Sequence, residues 1–331
     1  MVPTVVFLAP QGSGVADRLR HLEQLAQTVG QVHFSHVDDG LPLEQIVAAC
    51  GDTRAILLGS AAAQIVPLAA LLPQLKLVQV FSAGSDWLDV AGLAALGVRV
   101  ADNNGANAVP VAEHAIALML SLCRHLDALS ASLRNGDWHG DYRQRSDAFH
   151  TLAGKRVGIV GLGRIGSRVA RRLAAWECER VFFDIRSFDD QYLQTCGSPR
   201  PLPFEELLAT SDIVTLHVPL DRTTRHMVGS RELGLMAKEA MLINTCRGPV
   251  IDEAALIAAL REGRLGGAGL DVFEVEPIAP DNELLRLPRV VLTPHLATMS
   301  PESGPTSNRH AATNTARVAL GQEPISLVRL V

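Results

Sequence analysis

Short apolar runs alternate with helix-period segments along most of this chain. Val5–Ala9, Val32–Ser35, Ala55–Leu58, Val78–Phe81 and Val98–Ala101 have the length and apolar character of buried strands. Between them, Gly14–Val29, Pro42–Cys50 and the Ala61–Leu72 region carry helical patterns. This order predicts a parallel sheet covered by helices on both faces.

From Pro110 the pattern predicts one long helix to about Arg134, where Asn135-Gly136 stops it. Its first half, Ala112 to Leu122, is apolar on nearly every side, so burial all round, between domains or subunits, is expected. Asp137 to His150 reads as a mixed loop crossing between domains. A second alternating unit begins at Lys155. Its strands are Arg156–Val160, Arg180–Asp184, Ile213–His217, Met241–Thr245, Gly267–Asp271 and Val290–Thr293. Its helices are Arg164–Ala175, Phe204–Ala209, Ser230–Leu235 and Glu253–Glu262. Six such strands match a dinucleotide-binding domain. A last helical pattern, Thr306–Leu320, ends at Gly321.

Composition narrows the class. A length of 331 residues accommodates two ordinary domains, and 47% hydrophobic with 20% charged residues is the balance of a folded chain. Aromatics are only 4%, so the core must rest on Ala, Val, Leu and Ile. A net charge of -5 gives no broad basic footprint for nucleic acid. No two of the 5 cysteines stand at CxxC spacing, so neither a metal site nor a disulfide framework is indicated. No basic leader precedes Val5–Ala9, and the longest apolar stretch, Ala115 to Leu122, is too short for a bilayer. A soluble, cytoplasmic protein without membrane or nucleic-acid partners is expected.

The sharpest chemical signal is Gly161-Leu162-Gly163-Arg164-Ile165-Gly166, which follows a strand and opens a helix. Gly161 permits the tight turn, Gly163 admits a pyrophosphate to the backbone, and Gly166 lets helix and strand pack closely. Arg164 and Ile165 complete the turn at a helix N-terminus suited to an anion. Asp184, at the next strand's end, can accept hydrogen bonds from an adenosine ribose and repels a 2′-phosphate, which favours NAD. Arg186 works in the opposite sense, because a guanidinium welcomes phosphate. Gly12-Ser13-Gly14 has no third glycine in register and reads as a plain strand-to-helix turn.

Three further segments follow strand ends: Ile243 to Gly248, Leu270 to Pro277, and Thr293-Pro294-His295. Reducing a keto acid needs a cation for the carboxylate and carbonyl oxygen, a proton donor and a hydride source. Arg247 offers a forked cation. His295 offers an imidazole, which titrates near neutrality, and Glu276 would fix its tautomer. Singly, these would be a strand-end ion pair, a loop histidine and a solvated turn. Their joint order after a nucleotide motif favours chemistry.

These motifs together resemble the D-isomer-specific 2-hydroxyacid dehydrogenases. The matching segments are GLGRIG at 161–166, the Asp184 strand end, LHVPL at 216–220, INTCRGPVID at 243–252, GAGLDVFEVEP at 267–277 and TPHLA at 293–297. The resemblance implies NAD(H)-dependent interconversion of a small 2-keto acid and its D-2-hydroxy acid. Arg247 would bind substrate, and Glu276 with His295 would be the acid/base pair. Thr245, the Cys246 backbone and Asp271 would lie near the nicotinamide, and His217, Pro219 and Thr223 along the adenosine. In Phe81-Ser82-Ala83-Gly84-Ser85-Asp86, the turn at Ala83 and Gly84 would hold the substrate carboxylate. The implied fold is α/β with two Rossmann-like domains. One is a dinucleotide-binding, doubly wound parallel sheet at 103–296; the other is a flavodoxin-like substrate domain made of 1–102 and 297–331. The helix from Pro110 would make a homodimer.

The chain departs from the family pattern in places. Ser82 stands where glycine is usual, Asp102-Asn103-Asn104-Gly105 lacks a proline, Glu177 replaces a helix-ending glycine, and Leu296-Ala297-Thr298 replaces Ala-Gly. The first and last bear on substrate choice, for which Phe81, Trp87, Trp138, His139, Tyr142 and Arg143 are candidate pocket residues. An NAD-sensing, corepressor-like interaction protein is the alternative reading.

Overall fold

The computed structural model describes residues 2–12, 14–59, 64–138 and 149–328, so the candidate pocket residues His139, Tyr142 and Arg143 lie outside them. The chain divides into two compact units, Met1–Asn107 with Ser300–Val331, and Ala108–Met299.

The first unit is a parallel sheet of β1 (Thr4–Ala9), β2 (His33–Asp38), β3 (Ala55–Leu58), β4 (Leu77–Val80) and β5 (Arg99–Ala101), in the order β2-β1-β3-β4-β5. Val5–Ala9 of β1 and all of β3 are apolar at successive positions because both faces are covered, whereas the edge strand β2 is mostly polar. Val6, Leu8, Ile56, Leu58, Val78 and Val80 pack with α2 (Leu43–Cys50), α3 (Ile65–Ala70) and α4 (Val90–Ala95). On the other face Val5, Phe7, Ala55, Leu57 and Leu77 meet α1 (Val15–Ala26) and the last helix, α12 (Ser303–Ala319). Gln79, fully buried in β4, accepts from Asn314 of α12 at 2.7 Å and donates to the carbonyls of Val80 and Asp102. A buried amide must be satisfied, so this bond fixes the returning helix on the sheet.

The second unit begins with α5 (Ala108–Arg124) and α6 (Leu126–Arg134). One continuous helix to Arg134 was the sequence expectation, and the structure corrects it. His125 adopts φ 51°, the axis turns by 63°, and the amide of His150 takes the carbonyl of Cys123. The His125 ring is buried edge-on against Phe149, 5.3 Å away, and this packing favours the break over a further helical turn. Val109 and Ala117 are exposed in this unit, while Ala112, Ala115, Leu118, Met119 and Leu122 are buried.

The second sheet contains β6 (Arg156–Val160), β7 (Glu179–Phe183), β8 (Arg200–Pro201), β9 (Ile213–Leu216), β10 (Met241–Asn244), β11 (Gly267–Leu270) and β12 (Val290–Leu292). All pair in parallel, in the order β12-β11-β10-β9-β6-β7-β8. The strand order reverses between β6 and β9, and such a switch point opens a crevice at the carboxyl ends of the strands. Val157, Ile159, Phe182, Ile213 and Ile243 pack with α5 and α7 (Gly166–Leu173). Val160, Val181, Val214, Leu216 and Leu242 face α9 (Phe204–Thr210), α10 (Ser230–Leu235) and α11 (Glu253–Arg261). The two-residue β8, the short α8 (Asp190–Thr195) and α4 were absent from the sequence reading, because such short elements carry too little periodicity.

Candidate active site

The turn after β6 is shaped by what its glycines lack. Gly161 has φ +91°, and a Cβ there would stand 2.5 Å from the carbonyl oxygen of His217. A Cβ on Gly166 would stand 2.0 Å from the carbonyl oxygen of Gly161, so only glycine lets α7 start this close to the strand. Gly163 is different, since the nearest atom to its Cβ position is Arg186 Nη2 at 3.6 Å. Its open side leaves the backbone approachable. Arg164 and Ile165 then lead into α7, which no side chain caps and whose Ser167 and Arg168 amides return to the carbonyls of Gly163 and Ile165. The positive end of the helix dipole therefore faces the glycine turn and suits a pyrophosphate.

Asp184 ends the neighbouring strand with its side chain 6% exposed. Its Oδ2 accepts the Leu162 amide at 2.8 Å, and its Oδ1 accepts the Arg186 amide at 2.9 Å. The Arg186 guanidinium reaches both oxygens, each at 3.1 Å. Burial opposes ionisation of Asp184, but the bonds from Arg186 and Leu162 outweigh it and hold the carboxyl below its usual range. Arg186 in turn lies over the Phe188 ring, which stacks on Tyr192, whose hydroxyl donates to Leu162 O at 2.8 Å. Arg186 and Asp184 thus form one assembly with the glycine turn.

At the switch point His217 is buried, with its amide on Val160 O and its Nε2 2.9 Å from Thr215 Oγ1. Burial pushes its pKa down to about 3, so the ring is neutral. Its Nδ1 and the buried Thr245 Oγ1 have no hydrogen-bond partner among the described residues. Orphaned polar atoms of this kind call for a ligand. Together with the glycine cradle, they fit a dinucleotide. Thr223 donates its amide and hydroxyl to Asp221 Oδ1, both at 2.7 Å, and Pro219 O accepts from Thr224. Asp221, which the motif reading passed over, is the acceptor that shapes this loop.

Three loops meet beyond β10, β11 and β12. Asn244, fully buried, accepts from the Cys246 amide at 3.0 Å and donates to Arg247 O at 2.8 Å. It thereby sets the backbone of Arg247, a role that sequence reasoning missed. Burial pushes the Cys246 thiol up to about 11, which leaves it an inert packing group. A Cβ on Gly248 would stand 1.8 Å from Phe273 O, so this glycine presses the Arg247 loop against the loop carrying Glu276. Glu276 accepts the Phe273 amide on Oε1 at 3.0 Å, and its Oε2 lies 2.6 Å from His295 Nδ1. The chain of contacts runs from Arg247 through Gly248 and Phe273 to Glu276 and His295.

His295 stands at φ 55°, in the left-handed region that costs a non-glycine residue roughly 1–2 kcal/mol. Its amide donates to Asp271 O at 2.8 Å, and Asp271, 1% exposed, accepts the amides of Leu296 and Ala297 on its carboxylate. Asp271 therefore spends its oxygens on the His295 loop. Ala83 and Gly84 belong to the first unit, in a turn after β4 where Ser82 Oγ donates to Gly84 O at 2.6 Å.

A parallel sheet with a switch point, a glycine cradle and a carboxylate–imidazole pair defines a nucleotide-dependent oxidoreductase. Residues 116–297 match the pattern of the D-isomer specific 2-hydroxyacid dehydrogenase NAD binding domain. The chain is 38% identical over 256 residues to a glyoxylate reductase of Korarchaeum cryptofilum, covering 77% of this chain and 76% of that one. It is 37% identical over 238 residues to a glycerate dehydrogenase of Methylorubrum extorquens, covering 70% and 72%. The apo D-mandelate dehydrogenase of Rhodotorula graminis superposes with a TM-score of 0.85 at 28% identity, covering 100% of this chain and 99% of that one. This chain belongs to the D-isomer-specific 2-hydroxyacid dehydrogenase family and is an NAD-dependent enzyme of that class.

Proposed function

We propose that the protein reduces a small 2-keto acid to the D-2-hydroxy acid, and runs the reverse oxidation, with Arg247, Glu276 and His295 as its catalytic residues. The supporting observation is the 2.6 Å contact between His295 Nδ1 and Glu276 Oε2. With Nδ1 held by a carboxylate, the proton exchanged with substrate sits on Nε2. NADH, when bound, supplies the hydride. Arg247 binds the carboxylate and the carbonyl oxygen through its fork and steadies the negative charge that develops there. His295 Nε2 delivers the proton to that oxygen, and Glu276 steadies the imidazole before and after transfer. The glycine turn, with Arg164, Ile165 and Asp184, holds pyrophosphate and ribose. His217, Pro219 and Thr223 line the adenosine side, and Thr245, Cys246 and Asp271 the nicotinamide side. The exposed Val109, Leu126 and Leu133 of α5 and α6 support a homodimer, which light scattering on the eluting protein would detect.

The test is NADH consumption against glyoxylate, hydroxypyruvate, pyruvate and phenylpyruvate, repeated with His295→Ala. Wild type should turn over at least one acid, and the variant should lose about 10³-fold in kcat while still binding NADH. Undiminished turnover by the variant would overturn the acid/base assignment.

A further inference from the structure

His114 lies on α5, distant in sequence from every motif, yet its Nε2 stands 2.8 Å from Thr293 Oγ1. Thr293 spends its hydroxyl proton on Asp271 Oδ1, at 2.6 Å. The oxygen then offers His114 only lone pairs, so His114 Nε2 must carry the hydrogen of this bond. The same nitrogen is 3.7 Å from Asp271 Oδ1. The donors on Asp271 are the Thr293 hydroxyl and the amides of Leu296 and Ala297, all from the segment that bears His295. Val111 and Leu118, one helical turn to either side of His114, are buried, so the helix gives this imidazole a firm base.

We propose that His114 is a positioning residue: through Thr293 and Asp271 it tethers the segment 293–297 and keeps His295 in its left-handed backbone, with Nδ1 on Glu276. An unfavourable φ persists only where its surroundings over-determine it, and this hydrogen-bonded series is the surrounding that does so. Misplacing a proton donor by about 1 Å costs on the order of 10²-fold in rate. A weakened tether should therefore appear in kcat. The effect on turnover rests on His295 as the acid/base; the effect on the loop does not.

The experiment compares His114→Leu, His114→Gln and Thr293→Val with wild type by two readouts. The first is hydrogen–deuterium exchange of the peptide spanning 293–299, which carries the amides bonded to Asp271. The second is the split between kcat and KM for a reducible keto acid. His114→Leu and Thr293→Val should speed exchange about 10-fold or more and lower kcat about 10-fold. KM and NADH affinity should stay within about twofold of wild type. Glutamine places an amide donor near the position of Nε2, so His114→Gln should keep both properties near wild type. The double variant His114→Leu/Thr293→Val should be no worse than either single one, because one link is broken only once. Unaltered exchange in His114→Leu, additive losses, or a glutamine variant as impaired as the leucine one would overturn the tether. Should exchange respond while His295→Ala retains turnover, the acid/base reading fails and the tether stands.

Discussion

The turn after β6 and the segment after β12 leave parallel strands of one sheet, and each places a residue at positive φ, Gly161 at 91° and His295 at 55°. The first turn is made by subtraction. Removing side chains at Gly161 and Gly166 lets backbone meet backbone, and little else is needed. The second is made by addition, with a buried carboxylate collecting donors from the loop to hold a residue that would relax elsewhere. A binding turn needs room for its ligand; an acid/base residue needs its ring held at one angle. Changes at the two sites should therefore fail differently, at cofactor affinity in the first and at kcat in the second.

The severest test is Gly248→Ala, which brings the subtractive device into the corner proposed to be catalytic. Its new Cβ would lie 1.8 Å from Phe273 O and 1.9 Å from Phe273 C, and no side-chain rotamer can relieve a clash between two backbones. We expect a loss of about 4 kcal/mol or more in urea unfolding, beyond ordinary overpacking, with turnover abolished. A folded, active variant would show that the Arg247 and Glu276 loops need not touch.

Asp271→Ala strips the acceptor from the Thr293 hydroxyl and two amides, of which the Ala297 amide is buried and the other two donors are partly buried. At 1–3 kcal/mol for each unsatisfied group, partly recovered by water, about 3 kcal/mol should be lost. Asp271 also stands on the proposed nicotinamide side, but its carboxylate serves the His295 loop, so protein that remains folded should lose more in kcat than in NADH affinity. Equal damage to NADH affinity would mean that the two turns are not separable.

These devices differ in how they could be read from the chain. Gly161, Gly163 and Gly166 announce their turn because a missing side chain is itself a letter at fixed spacing. The strands announce themselves through runs such as Ala55–Leu58, buried at every position. His114 and Thr293, by contrast, are 179 residues apart, and no periodicity marks a hydrogen bond across that separation. Asn244 and Asp221 look like ordinary strand-end and turn residues until their hydrogen-bond partners are located. The bend at His125 likewise depends on Phe149 and His150, which arrive from beyond the helix. Local backbone demands are written locally, whereas side-chain tethers are decided by the fold.

A pH titration of stability separates the two corners next. His217, beside the glycine turn, has its pKa pushed by burial from 6.5 to about 3. The unfolded chain takes up this proton below about pH 6.5, and the folded chain only near 3. The contribution is thus full above 6.5 and lost as pH falls through that window. At pH 5 the loss should be about 2 kcal/mol, from 1.36 kcal/mol per unit. His217→Gln should flatten this part of the urea-derived stability profile; an unchanged acid limb would place the buried proton elsewhere.

The smallest expected effect sharpens the comparison most, because the cofactor turn also contains one additive element. Arg186 grips both oxygens of Asp184, so the carboxylate that would meet a ribose is already half neutralised by a cation 51% exposed to solvent. Arg186→Ala leaves Asp184 with its full charge beside Leu162 N and should raise the preference for NADH over NADPH about 10-fold, or about 1.4 kcal/mol. Asp184→Ala should move the ratio the other way by releasing Arg186 toward a 2′-phosphate, and should weaken both cofactors because the Leu162 amide loses its acceptor. Calorimetric titration with each dinucleotide measures both ratios without turnover. Opposite shifts would make the pair a balance set by two charges, while parallel shifts would mean that Asp184 acts here only as a brace for the glycine turn.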